Sequence, residues 1–357
     1  MGKQMINKYS FLEGKTCFVT GHTGFKGSWL CHILSKFGAN VVGFALEPEK
    51  NSHFQLANTD KVCTSLTGDL ENWRLLSTTI QDAEPDFIIH LAAQPLVSAG
   101  YKAPLRTVTT NVVGTANVLM AAHELRKKPI VAIITSDKCY ENREDGIPLI
   151  ESDRMGGQDP YSASKGATEI ISSSLARSFL VPAGISTVML RGGNVIGGGD
   201  FAENRLVPDI ISAVRTGQDF HVRSPTAVRP WQYILDVLNG YLAAIRWLCS
   251  QPNGTFDCYN IGPLNKNEAS VKEVLDSTLY YWGNNETKIL NATNQEYAEA
   301  KTLRLNISKA REHLDWEPEM NFNETIKATV NWYKKLDLGE QAMDLTSADI
   351  KQFFRLG

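Results

Sequence analysis

A glycine-rich turn, Gly21-His22-Thr23-Gly24-Phe25-Lys26-Gly27, lies between an apolar run at residues 16–20 and an amphipathic segment at residues 28–37. Glycine permits a tight turn there and lets the backbone approach a ligand closely. The N–H groups and the dipole at the start of the following helix can then hold a pyrophosphate. A glycine turn alone is weak evidence, but its place between a strand and a helix predicts a dinucleotide site.

Short apolar runs continue to alternate with longer amphipathic segments through the first half of the chain. The further runs that are typical of strands lie at residues 40–45, 87–91, 129–135 and 185–190. Helix-length patterns lie at residues 108–125 and 162–180. This alternation, with nearly continuous apolar strands, predicts an α/β fold with a doubly wound parallel sheet of the Rossmann type.

The sequence pattern changes after Arg191, where a glycine-rich stretch is followed by a mixture of short predicted elements. We expect a smaller C-terminal α/β lobe that binds the substrate. The predicted division is a dinucleotide domain at 1–191, to which 234–262 return, a substrate lobe at 192–233 and 263–340, and a C-terminal tail at 341–357.

The composition excludes several classes of protein. The 357 residues include 36 Lys and Arg against 39 Asp and Glu, a net charge of −3 that offers no field for nucleic acid. The longest apolar runs, at residues 87–93 and 129–135, are far shorter than the roughly 20 residues of a membrane-spanning helix. Residues 1–6 lack the apolar core of a signal peptide, which predicts a cytoplasmic protein. The six cysteines form no Cys-x-x-Cys pair, so no metal site is expected.

Tyr161 and Lys165 are four residues apart, so a helix places their side chains on one face. The unperturbed pKa of tyrosine is about 10, and an adjacent cation stabilises the phenolate, which can then accept a hydroxyl proton near neutral pH. Alone, such a pair is more often a solvated helix contact. Ser136 favours the catalytic interpretation, because it closes the fifth predicted strand at the sheet edge where α/β enzymes bind ligands.

Ser136, Tyr161 and Lys165 together match the catalytic triad of the short-chain dehydrogenase/reductase family, and the G-x-x-G-x-x-G spacing of the turn is similar to its dinucleotide site. The resemblance covers most of the chain and fits the extended subgroup, whose members act on nucleotide sugars. The most specific motif is Thr135-Ser136-Asp137-Lys138-Cys139-Tyr140. Sugar-nucleotide 4,6-dehydratases carry an acidic residue directly after the triad Ser or Thr, and then usually a Glu.

Lys138 replaces that Glu in this chain. The substitution, together with the stretches at residues 191–200 and 229–236, resembles the dehydratases that act on CDP-glucose. The resemblance implies a lyase, a hydro-lyase that converts CDP-glucose to CDP-4-keto-6-deoxyglucose with NAD. Such a reaction belongs to deoxysugar synthesis of the O-antigen type in lipopolysaccharide.

The resemblance also implies roles for the catalytic residues. Tyr161 is expected to remove the 4-hydroxyl proton while C4 gives hydride to NAD, with Lys165 holding the phenolate and the nicotinamide ribose. Ser136 is expected to orient the hydroxyl. Lys138 is then placed to take the C5 proton and Asp137 to protonate the departing 6-hydroxyl, before hydride returns to C6. The reverse assignment of Asp137 and Lys138 stays open.

Further residues are expected to bind the two ligands, on the same resemblance. Besides Tyr161 and Lys165, the expected cofactor residues are Gly21, Thr23, Gly24, Phe25, Lys26, Gly27, Asp69, Leu70, Ala92, Ala93 and Gln94. The expected substrate residues are Gln94, Asn194, Arg205, Arg229 and Trp231. Arginine supplies a planar donor fork for phosphate oxygens, and Arg191 is a further candidate for that task. Asp69 could instead cap a helix, and Trp231 could instead pack in the core.

The acidic ribose ligand that is usual in dinucleotide sites is missing at residues 44–46, the end of the second predicted strand. Glu47 or Glu49 could replace it, whereas Lys26 and Lys50 would favour a phosphorylated ribose. We expect NAD rather than NADP.

Two other functions fit part of the sequence, and a homo-oligomer is expected. A nucleotide-sugar 4-epimerase shares the Tyr and Lys pair but does not need Asp137 and Lys138. A nonenzymatic NAD-binding regulator with this fold commonly lacks the tyrosine, which is present here. The segments 108–125 and 162–180 correspond to helices that pair in dimers of the family, so a homodimer or a higher homo-oligomer is expected.

Overall fold

The computed structural model describes residues 8–222, 224–264, 268–283, 289–291 and 302–356. The predicted absence of a signal peptide at residues 1–6 therefore lies outside the described residues. Among the described residues, no helix is both long enough and apolar enough to cross a bilayer.

The strands are short, with at most seven residues each. They are β1 (Thr16–Thr20), β2 (Asn40–Ala45), β3 (Thr64–Thr67), β4 (Phe87–His90), β5 (Ile130–Ser136), β6 (Thr187–Gly192), β7 (Asn194–Ile196), β8 (Phe220–Val222), β9 (Val228–Arg229), β10 (Trp231–Tyr233), β11 (Phe256–Ile261), β12 (Ala269–Ser270) and β13 (Ile289–Asn291).

The helices alternate with these strands. They are α1 (Phe25–Lys36), α2 (His53–Leu56), α3 (Trp73–Ala83), α4 (Val97–Lys102), α5 (Pro104–Val108), α6 (Gly114–Glu124), α7 (Pro160–Leu175), α8 (Leu206–Thr216), α9 (Ile234–Cys249), α10 (Val271–Trp282), α11 (Ser308–Leu314), α12 (Phe322–Asp337) and α13 (Ala342–Phe353). Thr109–Val113 and Ala176–Leu180 add π-helical turns to the neighbouring helices.

Seven parallel strands form the central sheet in the order β11-β6-β5-β4-β1-β2-β3. Neighbouring residues of one strand join different apolar clusters, since Phe18 packs on one face of the sheet and Val19 on the other. Helices cover both faces, which explains why the strands are apolar at successive positions. The predicted doubly wound parallel sheet is confirmed, and its strand order reverses beside β1, where such folds bind ligands.

Short strand pairs lie beyond the main sheet. They are β7 with β10, β8 with β13 and β9 with β12. Ile210 and Val214 of α8 pack with Phe220 and with Leu275 of α10 in a small separate cluster. The predicted division into a dinucleotide domain and a substrate lobe stays a prediction, although β11 does pair with β6 in the main sheet.

The predicted C-terminal tail at residues 341–357 contains α13, which packs on the body of the protein. Leu345 and Ile350 are buried there. The Phe354 ring lies edge-on to Tyr9 and Phe37, with 5.3 Å between ring centroids in each pair. Apolar residues on one side of α13 cover a surface formed mostly by distant parts of the chain, and residues 341–357 alone do not reveal that surface.

Candidate active site

A cavity of about 790 Å³ opens at the carboxyl ends of β1, β2, β4, β5 and β6. Every residue that the sequence analysis assigned to catalysis, to the cofactor or to the substrate contributes to its wall. Glu47, Glu49 and Lys50 line it as well, whereas Arg191 does not. Its size suits a small-molecule ligand, since such sites commonly measure about 300–1,000 Å³.

The glycine turn forms one end of the cavity. Gly21 has φ of +74°, and a Cβ atom on it would lie 2.7 Å from the Ala92 nitrogen. A Cβ atom on Gly27 would lie only 2.1 Å from the Gly21 carbonyl oxygen, so α1 can pack against the turn only with glycine at this position. None of the described side chains caps the first turn of α1, which begins at Phe25. Its first N–H groups and its dipole therefore fit a pyrophosphate.

The end of β2 carries no carboxylate at the expected place. Leu46 lines the cavity and is 56% exposed. Its carbonyl oxygen accepts a hydrogen bond of 3.1 Å from the Thr23 hydroxyl, which ties this position to the glycine turn. Glu47 and Glu49 line the same cavity, so an acidic group is present near this loop but not at residue 46.

Asp69 lines the cavity and forms a salt bridge of 2.5 Å with Arg106. Burial raises the pKa of Asp69, but the Glu71 N–H and Arg106 outweigh burial and hold that pKa below its ordinary value. The alternative that Asp69 caps α3 is wrong, because Asn72 is the cap and accepts a hydrogen bond of 3.1 Å from the Leu75 nitrogen.

Gln94 follows β4 and is held in place from both its backbone and its side chain. Its nitrogen donates to Asn111 Oδ1 over 2.8 Å, and its Nε2 donates to the Thr107 hydroxyl over 2.8 Å. The buried Asn111 also donates to the Ser164 hydroxyl over 2.8 Å. Asn111 was not predicted from the sequence, because the nearby Thr109, Thr110 and Thr115 make its amide one polar group among several.

Ser136, Asp137 and Lys138 turn into the cavity directly after β5. The Ser136 hydroxyl donates to Asp137 Oδ1 over 2.8 Å and accepts from the Lys138 nitrogen over 3.2 Å. Asp137 is buried, and its Oδ2 has no hydrogen-bond partner within the described part of the chain. Burial raises the pKa of Asp137, and the opposing effects of Lys138, Ser136 and Arg229 do not restore the ordinary value.

Tyr161 and Lys165 lie on the first turns of α7, and Asp159 caps this helix by accepting from the Ser162 nitrogen over 2.9 Å. Both side chains are buried. Burial raises the pKa of Tyr161 above its ordinary value, although the Ser136 hydroxyl and the Arg205 guanidinium act in the opposite direction. Burial therefore opposes formation of the phenolate at Tyr161. Burial also lowers the pKa of Lys165 to about 8.

Lys26 belongs to the same electrostatic neighbourhood. Burial lowers its pKa to about 8, and the cations Lys165 and Arg205 lower it further, whereas Asp137 and Asp200 oppose them. These neighbours lie at the catalytic end of the cavity rather than at the end of β2. The expectation that Lys26 faces a ribose phosphate is thus not supported by its surroundings.

The remaining predicted substrate residues come from the segment after β6. Arg205 Nη1 lies 2.8 Å from Asp200 Oδ2 in a salt bridge. Asn194 of β7 pairs in register with Trp231 of β10. The Trp231 indole is buried, and its N–H donates to the Ala269 carbonyl oxygen over 3.0 Å. Trp231 therefore belongs to the core and to the cavity wall at once.

Arg229 and Arg191 differ in where they lie. Arg229 is buried, lines the cavity and donates from Nη1 to the Val228 carbonyl oxygen over 2.9 Å. Arg191 is a buried residue whose Nη2 lies 2.8 Å from Glu169 Oε2. The expectation that Arg191 binds phosphate is wrong, because its guanidinium pairs with Glu169 behind the cavity.

Comparisons with known proteins agree with this architecture. A family model described as GDP-mannose 4,6 dehydratase matches residues 18–329. A protein named CDP-glucose 4,6-dehydratase from Salmonella typhimurium is 38% identical over 355 residues, which cover 98% of each chain. The structure of UDP-glucose 4-epimerase from Thermotoga maritima superposes with a TM-score of 0.78 at 21% identity, over 90% of this chain and 99% of that one. A dTDP-glucose 4,6-dehydratase from Bacillus anthracis in complex with NAD gives 0.75 at 21% identity, over 90% and 97%.

Proposed function

This chain belongs to the GDP-mannose 4,6 dehydratase family, and we propose that it is a hydro-lyase that converts CDP-glucose to CDP-4-keto-6-deoxyglucose. The observation that carries the proposal is one cavity that contains Ser136-Asp137-Lys138 together with Tyr161 and Lys165. The relative that is 38% identical over 98% of this chain is named CDP-glucose 4,6-dehydratase. That name supports CDP-glucose as the substrate.

We assign NAD to the part of the cavity between the glycine turn and α7. The uncapped start of α1 and the glycine positions fit its pyrophosphate. Asp69, Leu70 and the loop of Ala92 to Gln94 line the wall beyond the turn. When bound there, NAD supplies a hydride acceptor that later becomes the donor.

Tyr161 and Lys165 form what we term the oxidation pair. The Tyr161 oxygen takes the proton from the sugar 4-hydroxyl, and the Ser136 hydroxyl orients that group. Lys165, with a pKa of about 8, is mostly protonated at neutral pH. Its charge stabilises the Tyr161 phenolate that accepts this proton, whereas burial disfavours that phenolate.

Asp137 and Lys138 form what we term the elimination pair. A carboxyl with a raised pKa keeps its proton more readily than an ordinary aspartate, which suits an acid that protonates the departing 6-hydroxyl. The Oδ2 atom of Asp137, which has no partner among the described residues, is the atom available for that transfer. Lys138 lines the cavity beside it and takes the C5 proton. The burial and raised pKa of Asp137 favour it as the acid, and we assign the role of base to Lys138.

The nucleotide diphosphate of the substrate needs cationic donors. Arg205 and Arg229 line the cavity on the side of the later segments, and Asn194 and Trp231 lie beside them. Arginine suits phosphate oxygens because its donors form a planar fork. Gln94 lines the wall between this region and the catalytic residues.

The deciding experiment incubates the protein and NAD with CDP-, dTDP-, UDP- and GDP-glucose and follows the 4-keto product. We expect product with CDP-glucose, no net NADH, and one solvent-derived hydrogen at C5. A nucleotide-sugar 4-epimerase, the other enzyme class that uses the oxidation pair, would return a 4-epimer without a solvent label. Stoichiometric release of NADH, or a 4-epimer alone, would rule out dehydration.

We further propose a two-fold dimer that buries the outer faces of α5, α6 and α7. Apolar side chains are exposed on and between these helices: Leu105, Val108, Val113, Ile170 and Phe179. A second copy could cover the face symmetrically, because one patch then meets its own equivalent. Sedimentation should give a dimer at micromolar concentration, and Ile170→Glu should dissociate it. A wild-type species of 39.5 kDa at that concentration would reject the dimer.

We place the reaction in the cytoplasm and in deoxysugar synthesis of the O-antigen type in lipopolysaccharide. This assignment rests on the 4-keto-6-deoxy product, which is a nucleotide-linked precursor of deoxysugars. Deleting the gene in its host should remove the deoxysugar from the lipopolysaccharide, and unchanged sugar composition would contradict the role.

A further inference from the structure

A buried ion pair lies directly behind the catalytic residues. Glu169 Oε2 and Arg191 Nη2 are 2.8 Å apart, and the two residues are 2% and 3% exposed. Glu169 follows Lys165 by one turn of α7, whereas Arg191 lies on β6 opposite Thr135 of β5. Neither member of the pair lines the cavity. Any effect of the pair on the chemistry must therefore pass through its neighbours.

The pair holds both ends of the loop that carries the elimination pair. At the first end, the Thr135 hydroxyl donates to Glu169 Oε1. At the second end, Arg191 Nη1 donates to the Tyr140 hydroxyl over 2.7 Å, and the guanidinium carbon lies 5.0 Å from the centroid of the Tyr140 ring. Since Glu169 belongs to α7, these contacts tether both flanks of the loop to the helix that carries the oxidation pair.

The Tyr140 end is tied further to the edge of the sheet. The Tyr140 hydroxyl donates to Asn260 Oδ1 over 2.6 Å, and Asn260 lies on β11. Arg191 Nη1 also donates to the Glu151 carbonyl oxygen over 2.8 Å. A buried ion pair is weak evidence for stability, because removing two charges from water costs as much as their attraction returns. The pattern of tethers instead points to control of geometry.

We propose that the Glu169–Arg191 pair is a positioning element that fixes the elimination pair relative to the oxidation pair. The inference rests on the proposed function, in which both pairs act in turn on one bound sugar. Elimination requires Asp137 and Lys138 to meet a sugar whose place the oxidation pair has already determined. A displacement of about 1 Å at such a site can cost on the order of 100-fold in rate.

The pair has a second, electrostatic effect on Lys165. Burial lowers the pKa of Lys165 to about 8, and Cys139 and Glu169 act in the opposite direction. The titratable groups that face Lys165 are Glu169 on its own helix, Cys139 beside the elimination pair, His90 on β4 and Lys26 on α1. Removing the charge of Glu169 also leaves the charge of Arg191 unbalanced. Both changes lower the pKa of Lys165.

The first test is Tyr140→Phe, which removes the hydroxyl tether but leaves the ion pair in place. On rapid mixing of the NAD-loaded protein with CDP-glucose, NADH absorbance should rise within about twofold of the wild-type rate and decay about 10-fold more slowly. Hydrogen exchange without substrate should also increase at residues 136–140. Equal decay rates together with unchanged exchange would overturn the proposal.

The second test is Glu169→Gln, which keeps the shape of the side chain and removes its charge. The alkaline limit of the oxidation step should move to lower pH by about one unit, because Lys165 loses its proton earlier. Glu141→Gln is the matched control, since its ion pair with Arg154 is exposed and lies beside Tyr140 in sequence. An unshifted limit in a folded Glu169→Gln protein would contradict the electrostatic effect.

Circular dichroism establishes whether Glu169→Gln folds. If it does not, the decay rate and the exchange of Tyr140→Phe decide the proposal alone. If wild-type protein forms no 4-keto product from CDP-glucose, the proposed function fails, and the exchange measurement still decides whether the tether holds the loop.

Discussion

Leu46→Asp should convert a weak cofactor site into a tight one. Leu46 occupies the end of β2, where a carboxylate could accept hydrogen bonds from both ribose hydroxyls. Its carbonyl oxygen accepts from Thr23 over 3.1 Å, so the backbone at this position is already held beside the glycine turn. Without such a carboxylate, we expect the wild-type protein to release NAD on dialysis.

The magnitude follows from the two added hydrogen bonds and from the exposure of the site. A hydrogen bond to a charged acceptor contributes about 1.5–3 kcal/mol. Two such bonds would give at least about 3 kcal/mol, but Leu46 is 56% exposed, so water competes and about half is retained. A gain of about 1.5 kcal/mol corresponds to roughly tenfold tighter binding. A new negative charge should also disfavour the 2′-phosphate of NADP.

Isothermal titration calorimetry of the dialysed protein with NAD and with NADP measures both effects. Leu66→Asp is the matched control, because Leu66 is a partly exposed leucine on the adjacent β3 that does not line the cavity. We expect Leu46→Asp to bind NAD about tenfold more tightly and Leu66→Asp to bind it as the wild type does. Unchanged or weaker binding of NAD by folded Leu46→Asp would refute the reasoning.

Three further predictions concern the chemistry and the stability of the fold. Tyr161→Phe should form no NADH with CDP-glucose, whereas Lys138→Ala should accumulate bound NADH without 6-deoxy product. Near-normal turnover of Lys138→Ala would show that Lys138 does not act in the elimination step. In urea denaturation, Leu345→Ala should lower the free energy of unfolding by about 2–5 kcal/mol. Leu338→Ala, at an 83% exposed position, should leave this free energy nearly unchanged. Equal effects of the two substitutions would contradict the packing of α13. Burial raises the pKa of Asp349 from its ordinary value to about 6, so ionisation of Asp349 destabilises the folded state as pH rises from about 4 to 6. The urea midpoint of Asp349→Asn should therefore increase relative to that of the wild type over this pH range. A difference between the two midpoints that does not change with pH would refute this.

Local sequence was sufficient to predict the sheet and the residues around the cavity. The apolar run at 16–20 matches β1, and the runs at 129–135 and 185–190 lie within two residues of β5 and β6. In a doubly wound parallel sheet, the carboxyl ends of the strands meet at one edge. Residues at or directly after the ends of those strands, such as Ser136 and Gly21, therefore lie around one cavity. The hydrophobic periodicity of strands and helices is a short-range property, which a single sequence carries.

Tertiary structure decided the environment of each side chain. Arg191 lies on β6, and the sequence around it gives no sign of its partner, yet it pairs with Glu169 on a helix instead of lining the cavity. Residues 342–356 gain a buried face only because the surface that covers them comes mostly from distant segments. The pKa values of Asp137, Tyr161 and Lys165 shift chiefly through burial. Burial and charge pairing depend on residues far apart in the chain, so only the folded molecule determines them.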